Sequence, residues 1–181
     1  CHNNNNQLCD SSTATPYHNG LSDLGKKVVT EMNKIKIMID ISHLSDKSVN
    51  DVLDISELPV IASHSGCYSV HNNPRNINDK LLERIAENGG VVQVTLLPKC
   101  VGQKYDVPSF INHIDHIRRL IGIDYIGIGS DFDGGGGLGG CKDISQVDSI
   151  TKELRKRNYT EEEIEKIWGL NFLRVFNLNC S

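Results

Sequence analysis

Residues 35–64 read IKIMIDISHLSDKSVNDVLDISELPVIASH, and the alternation inside this stretch decides the fold. Residues 35–41 are a short apolar, β-branched run, which predicts a buried strand ending in Ser42-His43. Residues 46–53 read as a short helix, and residues 58–63 form a second apolar run that stops at His64. Two continuously apolar strands joined through a helix make a parallel unit covered on both faces.

The same alternation continues toward the C-terminus. Residues 78–88 place Leu81, Leu82 and Ile85 on one helical face, and Gly89-Gly90 ends that helix before a third strand over 91–96. A loop holding Pro98 and Pro108 leads to a helix over 109–121, a fourth strand over 124–129, and a glycine run over 134–140 that reads as a flexible loop over the strand ends. Helices are predicted over 143–156, from Thr160 onward and over 170–177, and Thr160 with Glu163 fits a capping box. Toward the N-terminus, Ser22 is a candidate N-cap for a helix carrying Leu24, Val28, Val29 and Met32, preceded by about twenty polar, loop-like residues. No linker divides residues 1–181, so the reading is one α/β unit with a parallel sheet.

Composition agrees with a folded domain. The 181 residues are 38% hydrophobic, and no apolar run approaches the ~18 residues of a membrane span. Nineteen Lys and Arg against 23 Asp and Glu leave a net charge of −4 without a basic run, which argues against a nucleic-acid partner. The six cysteines show no CxxC pair and are expected as free thiols.

In parallel α/β folds, ligands bind beyond the carboxyl ends of the strands. Here those ends carry His43, His64 and the pair Asp131 and Asp133 in GSDFDG. Neutral imidazole is a common zinc ligand, and a zinc-bound water with a carboxylate to take its proton attacks carbonyls. Strand alternation places Asp131 and Asp133 on one side with Gly127 and Gly129, whose missing side chains would leave room at the axis. Asp40 falls at the opposite parity to His43 and reads as a structural cap, while His113 and His116 read as solvated or core-edge groups. ASHSG around His64 is not GxSxG, and the glycine run lacks both the P-loop and the dinucleotide spacing. Cys67 reads as a small buried residue rather than a nucleophile.

The strings IDISHLSD (39–46), PVIASHSGCYSVHNNPRN (59–76), HIDHIRRLIGIDYIGIGSDFDG (113–134) and NFLRVF (171–176) resemble the membrane (renal) dipeptidase family. The resemblance implies a (β/α) barrel of the amidohydrolase-like TIM type and dipeptide hydrolysis through a metal-activated water at a binuclear zinc centre. Carried over residue by residue, it makes His43 and His64 metal ligands and Asp131 the acid/base aspartate. It makes Arg75 the group that takes the substrate's terminal carboxylate, and His2 a residue that polarises the scissile carbonyl. A homodimer is compatible with it.

The family's remaining ligands, a His-x-Asp pair and a bridging Glu, have no counterpart before His43. A complete eight-stranded barrel takes ~250 residues, so the chain resembles the C-terminal half. On that reading Cys1 lies mid-barrel rather than carrying a lipid. Two competing readings remain: another amidohydrolase-like activity on a lactone or cyclic amide, and an inert metal-binding half-barrel.

Overall fold

The computed structural model describes residues 1–180. Elements follow in the order α1 (Asp23–Lys34), α2 (Asp46–Ile55), β1 (Ile61–Ser65), α3 (Asp79–Glu87), β2 (Val91–Thr95), α4 (Pro98–Val101), α5 (Val107–Ile121), β3 (Ile126–Gly129), α6 (Asp148–Lys156), α7 (Glu161–Glu165) and α8 (Asn171–Cys180). The three strands form one parallel sheet in the order β1-β2-β3, with Ile61 opposite Val91 and Val92 opposite Ile126.

Local chemistry explains the helix starts. Ser22, Ser45, Asn78 and Asp106 each accept a backbone N–H of the first helical turn. Such a bond satisfies a donor that the helix itself cannot. Thr160 and Glu163 form the predicted capping box reciprocally. The core lies between the sheet and its helices, where Leu82, Ile85, Phe110, Ile111, Ile114, Ile117, Ile150 and Leu154 are fully buried.

Residues 35–41 depart from expectation. Instead of a strand they make a single parallel bridge, Asp40 with Ile61, held by Ile41 N–H to Ile61 O (2.8 Å) and Ile61 N–H to Ile39 O (2.9 Å). Positive φ angles at Lys36 (59°), the second residue of the run, and at His43 (71°), two residues beyond it, curtail the extended backbone at both ends. The fourth predicted strand is also shorter, because Ile123–Tyr125 forms a 3₁₀ turn before β3.

Helix α8 ties the amino ends of all three strands together. The Asn179 amide donates to Pro59 O ahead of β1, and Arg174 donates to Gly89 O (2.6 Å) ahead of β2. The Asn171 amide donates to Ile123 O and Ile126 O (both 2.8 Å) at the start of β3. Between them Val175 packs on Ile61 and Val91. The carboxyl ends are thereby left to the loops. No helix among the described residues is long and apolar enough to cross a membrane.

Candidate active site

The tight turn after Ile41 aims His43 at its neighbours. Leu44 N–H bonds back to Ile41 O, and Ser12 N–H clasps His43 O at 2.8 Å. A bulky residue at φ 71° is strained, and here the strain accompanies a functional candidate. His43 Nε2 lies 2.9 Å from His64 Nε2, so the two imidazoles converge at the ends of adjacent chain segments. His43 Nδ1 is buried without a hydrogen-bond partner among the described residues.

Burial, and then the Arg75 guanidinium, pull the His43 pKa down to about 3. The same two causes lower His64, against the opposing carboxylates of Asp131 and Asp40. Both rings are therefore neutral near pH 7 and keep lone pairs to offer a cation.

Arg75 is 5% exposed, and its guanidinium donates to His64 O at 3.2 Å. It forms no ion pair among the described residues, and burial depresses its pKa against the opposing pull of Cys100, Asp131 and Asp40. A buried cation without a directly bonded counter-charge is costly, which favours an anion at this position.

The loop carrying Arg75 hangs on His113, which is fully buried rather than solvated or at the core edge. His113 Nδ1 accepts Cys67 N–H (2.9 Å), and Nε2–H donates to Val101 O (3.0 Å). The Cys67 bond requires the neutral ring, because a protonated Nδ1 cannot accept. Burial pushes its pKa to about 4; the Val101 bond opposes this, and His71 and His116 add to it. Between pH 6.5 and 4 the unfolded chain binds a proton that the native ring refuses, so stability rises with pH across that window. Urea unfolding is expected to lose about 3 kcal/mol on acidification from above pH 6.5 to pH 4. A flat profile after correction for the carboxylates would refute the role of His113.

Asp131 sits just past β3 in the left-handed region (φ 54°), a conformation an aspartate tolerates. Strand alternation stops at Gly129: Asp131 lines a cavity with His2 and His43, while Asp133 borders, together with Asp131, a second depression that includes Asp143 and Ile144. The space beside Gly129 is also filled rather than open. A Cβ there would lie 1.9 Å from the Ser63 carbonyl, because the curved sheet brings β3 against β1. Nor does the glycine run hang free over the strand ends. Gly137 N–H bonds Leu96 O (2.9 Å), and Gly139 N–H bonds Tyr105 O (2.7 Å).

His2 stacks on His43 with ring centroids 4.2 Å apart. Its loop is fixed by short polar side chains. Ser11 Oγ–H donates to His2 O, Asn5 accepts Ser11 N–H, and the buried Asp10 carboxylate accepts the N–H groups of Tyr17, His18 and Gly20. Burial alone would raise the Asp10 pKa, but these N–H bonds lower it.

His2, His43, Arg75 and Asp131 line one small cavity of about 60 Å³, and His64 adjoins it through His43. The cavity is completed by Asn3, Leu97, Lys99 and Gly134. Leu97 and Lys99 follow β2, and the strand-end rule applied to the third strand finds them. A larger depression beside α5 (about 480 Å³) is lined by groups already committed elsewhere: Asp115 to Arg157 and Tyr159, Arg118 to Glu163. Cys67 is buried, its thiol pushed up by burial, and all six cysteines are free.

Two converging neutral imidazoles suit one zinc ion, yet no group of three or more His, Cys, Asp or Glu side chains fit for a metal occurs among the described residues.

Known proteins resemble this chain in sequence and in fold. The dipeptidase tcpJ of Claviceps purpurea is 37% identical over 179 residues, covering 96% of this chain and 42% of that protein. The probable dipeptidase PvdM from Pseudomonas aeruginosa superposes with a TM-score of 0.93 at 28% identity, covering 96% of this chain and 60% of that one. A Rhodobacter sphaeroides metallopeptidase, liganded with a phosphinate mimic of the dipeptide L-Ala-D-Ala, gives a TM-score of 0.92 at 26% identity over 98% of this chain and 54% of that one. The chain thus spans less than half of the Claviceps relative. The profile of the membrane dipeptidases matches residues 1–179, and the chain belongs to that family, peptidase family M19.

Proposed function

We propose that this chain forms part of the barrel of a zinc-dependent dipeptidase and carries the acid/base and carboxylate-binding side of its active site. The observation that carries the reading is the buried, unpaired Arg75 guanidinium at the cavity where His2, His43 and Asp131 meet. A free dipeptide ends in a carboxylate, and a guanidinium fork pairs with it in bidentate fashion. A ligand on the Rhodobacter relative that mimics a dipeptide supports the same substrate class.

In this reading His43 and His64 would hold zinc, as two of the roughly three protein ligands a catalytic zinc requires. Bound there, zinc supplies Lewis-acid polarisation and acidifies water. Arg75 fixes the terminal carboxylate and so sets the position of the scissile bond. His2 hydrogen-bonds the scissile carbonyl oxygen from the exposed side of the cavity. The Asp131 carboxylate takes the proton of the attacking water and returns it to the departing amine.

Chelator treatment of the protein is expected to abolish hydrolysis of a simple dipeptide, and added zinc to restore it. Undiminished turnover in the chelator overturns the reading.

A further inference from the structure

We propose that Asp40 and Ser63 are positioning residues that lock His64 as its Nδ1–H tautomer and so leave the Nε2 lone pair free for a metal. The inference rests on the zinc reading above for its consequence, although the tautomer itself is testable alone.

The argument follows each proton through the network. Asp40 Oδ1 accepts Ser42 N–H and Ser63 N–H, both at 3.0 Å. Its Oδ2 lies 2.5 Å from Ser63 Oγ, and a carboxylate can only accept, so the hydroxyl donates its single proton to Asp40. Ser63 Oγ must then accept at its other contacts, which are His64 Nδ1 at 2.7 Å and Ser42 Oγ at 3.3 Å. Acceptance from Nδ1 places the ring proton there. Ser42 completes the set: its Oγ accepts His64 N–H at 3.0 Å and its hydroxyl proton turns to Ser63. Every donor and acceptor of the network then has one consistent role, and the bare His64 Nε2 accepts from His43 Nε2–H in the metal-free chain.

Asp40 therefore does more than cap a loop. The two backbone bonds at Oδ1 hold the ends of residues 39–41 and β1 together, and Oδ2 sets the direction of the relay. A carboxylate–hydroxyl–imidazole chain of this kind fixes the ring orientation and raises ligand basicity, and its loss typically weakens metal affinity 10–100-fold.

Asp40→Asn separates the two roles. The amide oxygen can keep both backbone N–H bonds, while the amide NH₂ facing Ser63 becomes a donor. Ser63 Oγ–H then turns to His64 Nδ1, and the ring proton moves to Nε2. The expected result is a reversal of the His64 ¹⁵N tautomer signature in the metal-free protein, with zinc affinity 10–100-fold weaker in competition with a chelating dye. Ser63→Ala should lose the fixed Nδ1–H signature and weaken zinc by a similar factor. It serves as the arm that stands if Asp40→Asn misfolds. An unchanged Nδ1–H tautomer together with zinc affinity within twofold of the parent, in a folded variant, overturns the proposal. If the parent protein takes up no zinc and His64→Ala changes nothing, the zinc reading fails, while the ¹⁵N spectra still decide the relay.

Discussion

Alanine at position 64 is expected to lower zinc-dependent dipeptide cleavage by about 10³-fold or more. The side chain lost is the one whose Nε2 faces His43 Nε2 at 2.9 Å. Its removal would delete one of the two proposed metal ligands and leave Ser63 Oγ without the imidazole it now bonds. The strand itself should survive, because position 64 is only half-buried and the ladder of β1 with β2 uses backbone groups. Circular dichroism should thus match the parent while bound zinc and turnover fall together. Retained cleavage by a folded His64→Ala protein would sink the assignment of the histidine pair.

Arg75→Leu should raise KM for dipeptides by about 10²–10³-fold, as expected when one partner of a buried, hydrogen-bonded charge pair is truncated. The effect should be far smaller for an uncharged ester of the same dipeptide, which presents no carboxylate. That contrast separates a dipeptidase from a lactone or cyclic-amide hydrolase, for which position 75 would matter little. Stability gives a second signature. The guanidinium is buried without an ion pair among the described residues, so replacing it with an apolar side chain should leave the unfolding midpoint unchanged or raised. Equal losses for the acid and the ester would show that Arg75 shapes the loop rather than binding substrate.

Much of this site was legible because strand ends in a parallel sheet have few places to go. The apolar runs before His64 and Gly129 located their strands to within three residues, and the strand-end rule picked out His43, His64 and Asp131. Arg75 and His2 came from resemblance, since no periodicity marks a loop residue. What escaped was set by tertiary geometry. Residues 35–41 have strand composition, but their pairing with β1 amounts to one bridge between two left-handed residues. Asp133 obeys strand parity only on paper, because the backbone leaves the extended region at Asp131. The glycine run carries the composition of a mobile loop, yet its N–H groups find carbonyls on Leu96 and Tyr105. His113 has no local signal at all: its role is defined by Cys67 and Val101, which reach it from two other segments.

The clamp made by α8 bears on how likeness to this chain should be read. NFLRVF contributes Asn171 and Arg174, which grip backbone carbonyls where strands begin, at the end of the sheet away from the cavity. A distant chain sharing that string alone would inherit a way of holding three strands in register. It would inherit no chemistry from it. Descent of the scaffold and descent of the activity are written in different stretches of this polypeptide, and only the residues gathered at the carboxyl end of the sheet, His2 and His43 among them, can testify to the second.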